Sequence, residues 1–523
     1  MRLTHLTVAF ICAALLVAAP AAMASPKLGG HGKVSDTKKL RKGVTVAGML
    51  EHERALQKIA IAHDGNRAAT TAGYDASVDY VVNRLKKAGY KVSLDGFDFP
   101  TWSLNGPSTL AEVSPTARTF TEDTDYIVSQ FSADADLTAN VVPTNDIVIP
   151  PAGGPGTGTS GCEPGDFPAS TAGNIALMQR GTCPFTQKYQ MAKDAGAVAA
   201  LIFNDGGEGR TEPLFVTAPP NIGIPTIMIS AGVGESLFTE ASAGTVSLHV
   251  VVDATTTPNT EYNVIADSRK GAKGRTIVVG AHLDSVEAGP GINDNGSGTA
   301  GILEIAEQVA KLKDDPRNRL RFAFWGAEEA GLVGSAAYVA DQVTSGGIEK
   351  IEANLNFDMI ASPNFVRFVY DGNSSDTPPP PGGAPAGSPQ IEQVFLRYFE
   401  SQGLVTDPTA FDGRSDYGAF IANGVPAGGL FTGAEGIKTA RQEAIYGGFA
   451  GLAFDPCYHQ ACDTFFNLNY TALDQMSDAA AHATWTLARS KTPISELSAK
   501  AAKKRKAAKR TKHWKYKGPF RVR

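Results

Sequence analysis

From about Ala254 onward this chain alternates two kinds of run, and that alternation constrains its fold more than any other feature. "GRTIVVGAHLD" reads as a strand, the stretch after Gly298 as a helix, "NRLRFAFWGAEEAG" as a strand and turn, "SAAYVADQV" as a helix, and "IEANLNFDMI" as a third strand. Short apolar runs separated by helical segments imply a mainly parallel sheet with helices on both faces, an α/β fold. In open sheets of this kind, ligands bind outside the carboxyl ends of the strands. His282 and Asp284 end the first strand, Glu328 and Glu329 follow the second, and Asp358 ends the third. One rim of the sheet therefore collects an imidazole and several carboxylates.

Carboxylates gathered at one sheet edge repel each other unless something cationic sits among them. A solvated acidic loop accounts for one His and a few Asp in "GAHLDSVEAGPGINDNGSG", but not for three strand ends that converge. One or two divalent metals resolve the repulsion. With Asp294 from that loop and His459 from "CYHQACDT", the set His282, Asp294, Glu329, Asp358 and His459 has the mixed N/O chemistry that suits zinc. Five side chains give two metals three protein ligands each only if one carboxylate bridges. Asp294 is the natural bridge, since it can offer one oxygen to each ion.

The remainder of the chain has a different character. At 42% hydrophobic and 19% charged, 523 residues have room for two or more cores, which excludes disordered and fibrous classes. Upstream, "EHERALQKIAIAHDGNRAATTAGYDASVDYVVNRLKKAGYKVSL" reads as two amphipathic helices. In the second, Val78, Val81, Val82 and Leu85 recur at helical spacing, and Gly89 stops it before a strand around Val92. From residue 132 to 254 short β-like runs such as "NIALMQRG", "VAALIFND" and "IPTIMIS" surround one helical piece, "TQKYQMAKDAG". This segment reads as a small β-rich module inserted into the larger domain.

The amino terminus carries a cationic start at Arg2, an apolar run from about Val8 to Ala19, and Ala22-Met23-Ala24, a small-x-small cleavage pattern. Residues 1–24 read as a signal peptide and 25–43 as a pro-segment or linker, so the protein is expected to be secreted. A membrane anchor is disfavoured because Pro20 interrupts the run and no second apolar stretch nears the roughly 20 residues of a spanning helix. Export favours disulfides. Cys12 leaves with the signal peptide, and the remaining Cys162, Cys183, Cys457 and Cys462 are expected to pair locally, 162 with 183 and 457 with 462. Thiolate ligation of zinc is the alternative, disfavoured by the lack of any C-x-x-C.

The net charge of −5 conceals an asymmetry: residues 500–523 hold twelve Lys and Arg and no acid, leaving 36 basic against 53 acidic groups in the rest. A basic tail from 499 to 523 suits contact with anionic surfaces, and the plainer reading is a clipped, solvated extension.

The order H-x-D, "GINDNGSG", "GAEEAGLVGS", "NFDM", "GRSDYGAF", "GGLFTGAEG" and "CYHQACD" resembles the secreted two-zinc aminopeptidases of the leucine aminopeptidase and aminopeptidase Y type. The likeness extends upstream to "GNRAATTAGYDAS", and the module at 132–254 looks like their inserted protease-associated (PA) domain. The resemblance implies a zinc-exopeptidase α/β fold in two parts, 44–131 and 255–498, and two Zn²⁺ per subunit. His282 and Asp358 would hold one zinc, Glu329 and His459 the other, and Asp294 would bridge. Asp284 would orient the ring of His282, Glu328 would be the general base, and Tyr458 would donate to the oxyanion. Arg414 would contact the substrate backbone, with pairing to Asp412 or Asp416 as its structural alternative, and Phe431 would line the specificity pocket. On the same resemblance the Asp294–Asn295 peptide is expected to be cis.

The implied activity is removal of N-terminal residues, large apolar ones such as leucine foremost, from peptides or proteins with a free N-terminus. It requires no nucleic acid, and oligomeric state is left open. No serine lies in G-x-S-x-G and H-E-x-x-H is missing, which removes serine hydrolases and single-zinc proteases of that motif. A carboxypeptidase or glutaminyl cyclase on the same fold would share the cage, although a carboxypeptidase needs cations for the terminal carboxylate and the motifs offer only Arg414. A receptor-like PA-domain protein without catalysis should have lost ligands or base, and none is missing.

Overall fold

The computed structural model describes residues 35–494. The expected signal peptide, the first part of the 25–43 segment and the basic tail lie outside the described residues. An eight-stranded mixed sheet organises the larger domain. Its strands, in chain order, are β1 (Lys91–Asp98), β2 (Thr260–Asp267), β3 (Ala272–His282), β4 (Asn318–Trp325), β5 (Ile351–Phe357), β6 (Phe368–Tyr370), β7 (Asp407–Thr409) and β8 (Ala427–Phe431). They lie side by side in the order β1-β2-β4-β3-β5-β8-β6-β7. The central four, β4, β3, β5 and β8, run parallel, and β1 and β2 close one edge antiparallel.

Parallel strands covered on both faces need side chains that bury in both directions, and β3 and β5 supply them: Ile277, Val278, Val279, Ala353 and Leu355 are fully buried. Helices α1 (Ser35–Gly43), α2 (Val46–Ala62), α3 (Ala72–Ala88), α4 (Gly298–Ala310) and α5 (Val333–Thr344) follow in chain order, then α6 (Ser388–Ser401), α7 (Tyr417–Ala422) and α8 (Tyr470–Arg489). In α3, Val78, Val81 and Leu85 are buried and Val82 partly so, as the spacing predicts. Gly89 ends α3 at φ 89°, where its N–H reaches the carbonyls of Leu85 and Lys86 and a side chain would strain the turn. The buried helix α4 packs between β3 and the pair α2 and α3, so the loop that leads into it is pinned against the sheet.

Two boundaries differ from expectation. Residues 35–43 are not linker: α1 packs on α8 with Leu40 fully buried, and Arg41 pairs with Asp478 at 3.0 Å. Its lysine-rich sequence hides the helix because Leu40 and the following Val44 are the apolar residues it gives to the core. The inserted module also begins earlier than residue 132, since Thr109–Ser114, Arg118–Thr119 and Tyr126–Val128 belong to its own eight-stranded sheet. Thr109–Ser114 mixes polar and apolar residues and the other two strands are only two and three residues long, so none shows the continuous run of the buried Ile175–Gln179, Ala199–Phe203 and Thr226–Ile229. The module leaves and rejoins the larger domain through a two-stranded stem in which Leu104 pairs with Ala254.

Both expected disulfides form, Cys162–Cys183 and Cys457–Cys462, so none of these thiols is available to a metal. No helix of the described residues is long and apolar enough to cross a membrane.

Candidate metal centre

Because β3, β4 and β5 run parallel, their carboxyl ends reach the same rim. His282 is the last residue of β3, paired with Trp325 at the end of β4, and Asp358 directly follows β5. Non-glycine residues with left-handed φ mark three turns here: Ala327 at 53°, Met359 at 48° and His459 at 57°. Each such residue costs energy that the surrounding packing must offset, and such residues cluster at functional sites. The Asp294–Asn295 peptide is cis, as expected. Asn295 ties that loop down, its amide donating to the carbonyl of Phe357 at 3.0 Å and its oxygen accepting from the N–H of Gly298 and Met359.

The five expected metal donors come together. Asp294 faces two imidazoles at once, Oδ1 at 3.3 Å from Nε2 of His282 and Oδ2 at 3.3 Å from Nε2 of His459. Asp358 joins the first ring, with Oδ1 at 3.4 Å from Nε2 of His282, and Glu329 joins the second, with Oε2 at 2.9 Å from Nε2 of His459. The donors thus divide into two half-sets that share one carboxylate. Glu328 lies on the side of the first ring, its Oε2 at 4.0 Å from Nε2 of His282.

Asp284 reaches further than expected. Its backbone carbonyl lies 3.1 Å from Nδ1 of His282, and its carboxylate accepts the N–H of Glu328 and of Glu329 at 3.2 Å each. One residue therefore sets the tilt of a ring on β3 and the register of the two acids after β4.

The electrostatics suit a divalent cation. Asp358 Oδ1 and Glu329 Oε1 are buried without a hydrogen-bond partner, which is costly for an ionised oxygen. Burial, with the repulsion of Asp294 added, pushes Glu329 up to about 7. Burial also raises Glu328 well above the carboxylate range. Burial opposes the protonation of His459, but the carboxylates of Asp294 and Glu329 outweigh it and lift the ring to about 10. Mixed imidazole and carboxylate donors, with lone pairs unclaimed by protein, match zinc.

Beside this cluster opens a cleft lined by Asp294, Glu328, Glu329, Asp358 and His459 and also by Arg414, Phe431 and Tyr458. Its other walls include Met359, Tyr370 and Ala434. Phe431 stacks on Phe368, with ring centroids 6.0 Å apart. Tyr458 stacks on the ring of His459 at 3.8 Å. The guanidinium of Arg414 pairs with Glu435 at 2.8 Å, in place of the Asp412 or Asp416 side-chain pairing weighed from sequence, although its backbone N–H does donate to Asp412.

Several supporting residues escaped the sequence reading. Ser415 donates to Asp358 Oδ2 at 2.6 Å and itself accepts from Asn356. Asp463 accepts the N–H of Asn293 and of Asp294 at 2.8 and 2.9 Å. Arg67, fully buried, donates to the carbonyls of Leu283, Pro290 and Gly291, cradling the loop between His282 and Asp294. Another histidine-carboxylate group, His52 with Glu304 and Glu307, does not line the cleft, and Arg84 already grips both oxygens of Glu307.

Residues 263–484 match the model of peptidase family M28, and residues 138–237 match the PA domain. An aminopeptidase of Pseudomonas aeruginosa is 46% identical over 452 residues, covering 86% of this chain and 82% of the relative. A probable leucine aminopeptidase 2 of Aspergillus oryzae is 36% identical over 489 residues, covering 93% of each. Among solved structures, the aminopeptidase from Aneurinibacillus sp. strain AM-1 has the same fold, with a TM-score of 0.60 at 24% identity over 87% of this chain and 97% of that one.

Proposed function

This chain belongs to peptidase family M28, and on that premise we propose that it is a secreted aminopeptidase that uses two zinc ions to release N-terminal residues from peptides. The observation that carries the reading is Asp294 standing between His282 and His459 with one carboxylate oxygen toward each. His282 and Asp358 would hold one ion, Glu329 and His459 the other, and Asp294 would serve both. Zinc, when bound, supplies a Lewis acid that polarises the peptide carbonyl and acidifies a water. Glu328 takes up that water's proton on its carboxylate and returns it to the departing amine. Tyr458 donates its phenol hydrogen to the carbonyl oxygen as negative charge gathers there. Asp284 keeps His282, Glu328 and Glu329 in mutual register through the three contacts it makes.

Phe431, Met359, Tyr370 and Ala434 give the cleft an apolar wall that suits a large aliphatic side chain such as leucine, and the fungal relative's name agrees. Arg414 is the one Arg or Lys among the described residues that line the cleft, and Glu435 already neutralises it. That counts against a carboxypeptidase, which needs an unpaired cation for the substrate's terminus. The two disulfides fit an oxidising, exported setting. Metal analysis tests the centre: about two zinc equivalents per chain are expected from the donor count. Asp294→Asn should weaken both sites, and loss of a single ion would refute the bridge.

A further inference from the structure

Arg414 occupies an unusual position for a group expected to hold substrate, because both terminal nitrogens are already engaged. Nη1 donates to Glu435 Oε1 at 2.8 Å, and Nη2 lies 3.3 Å from the phenol oxygen of Tyr458. A guanidinium has only donors, so the phenol oxygen must accept. The hydrogen of Tyr458 is thereby turned away from Arg414 and left for another acceptor. The ring of Tyr458 is fixed independently by its stack on His459, at an interplanar angle of 27°. Tyr458 is thus held at its face by a metal-donor histidine and at its oxygen by Arg414.

What aims Arg414 is Glu435, which lies in the loop after β8. The pair is 38% and 44% exposed, so it adds little to folding stability, as exposed ion pairs generally do. Its geometry, however, decides where Nη2 points. Without the carboxylate, a long flexible side chain would hold the phenol oxygen through one unanchored contact.

We propose that Glu435 is a positioning residue that orients Arg414, and through it the hydrogen of Tyr458, toward the carbonyl of the bound peptide. The proposal rests on the aminopeptidase reading above, in which Tyr458 is the donor. It assigns Arg414 an orienting role that exists before substrate arrives.

A double-mutant cycle with zinc-loaded full-length protein and leucine p-nitroanilide tests it. Wild-type turnover comes first: if the protein shows no chelator-sensitive release, the functional reading fails, and this proposal fails with it. Given that activity, Glu435→Ala should lower kcat about tenfold, a fraction of the roughly hundredfold attached to a lost oxyanion donor, with KM within about twofold and zinc content unchanged. Glu435→Gln keeps an acceptor oxygen and should recover part of the loss. In a Tyr458→Phe background, Glu435→Ala should cost less than about twofold, because the end of the relay is already gone. An unchanged kcat, an effect confined to KM, or an equal loss in both backgrounds would overturn the assignment.

Discussion

Glu329 presents Oε2 to Nε2 of His459 at 2.9 Å, whereas its neighbour Glu328 turns toward the ring of His282. Adjacent carboxylates therefore face different imidazoles. Glu328→Gln should cut turnover by about a hundredfold or more, the scale of a lost general base, with metal content intact. Glu329→Gln should instead lower zinc occupancy, and added zinc should partly restore activity. Metal analysis beside steady-state kinetics separates them; a Glu328 variant with near-normal turnover, or one that loses zinc as the Glu329 variant does, contradicts the division.

The Cys457–Cys462 bridge encloses both Tyr458 and His459. A loop this short contributes on the order of 2 kcal/mol by chain entropy, so its chief effect should be on geometry. Replacing both cysteines by serine should reduce kcat more than it reduces the denaturation midpoint. Unchanged turnover would show that the loop holds its shape without the bond.

None of the residues lining the cleft comes from the inserted module, and the stem pair Leu104 and Ala254 brings its ends together. Joining the chain across that stem should leave hydrolysis of single-residue chromogenic substrates intact, with any loss confined to longer peptides. A folded, zinc-binding deletion variant that cleaves no small substrate would place the PA domain in the active site.

Arg67 is fully buried and spends its guanidinium on three carbonyls of the loop that connects the metal donors. Arg67→Met would strand those carbonyls, each lost charged hydrogen bond being worth about 1.5–3 kcal/mol. Urea titration should show a loss of at least about 4.5 kcal/mol on that count, with weaker zinc binding. A change within about 0.5 kcal/mol, the level of an ordinary surface substitution, would show that the loop is held by other contacts.

The alternation after Ala254 was legible because buried parallel strands must be apolar throughout, and the strand-end donors were legible because the fold class aims them at one rim. Arg67 was not, since "GNRAATT" entered only through the family likeness and the partners of Arg67 lie more than 200 residues away. Asp463 stood in a quoted motif, yet its grip on the backbone around Asp294 is a property of two loops meeting. Glu435 likewise stood in the quoted "GGLFTGAEG", but its pairing with Arg414 is a property of two loops meeting. Helix α1 was concealed for the opposite reason, its few apolar residues being enough to dock a short helix on α8.

One assay reads metal-dependent recognition of a free N-terminus directly. Purified protein should release p-nitroaniline from leucine p-nitroanilide, lose that activity to a chelator, regain it with zinc, and leave the N-acetylated substrate uncut. Hydrolysis that survives complete metal removal, or that treats blocked and free substrates alike, would contradict it.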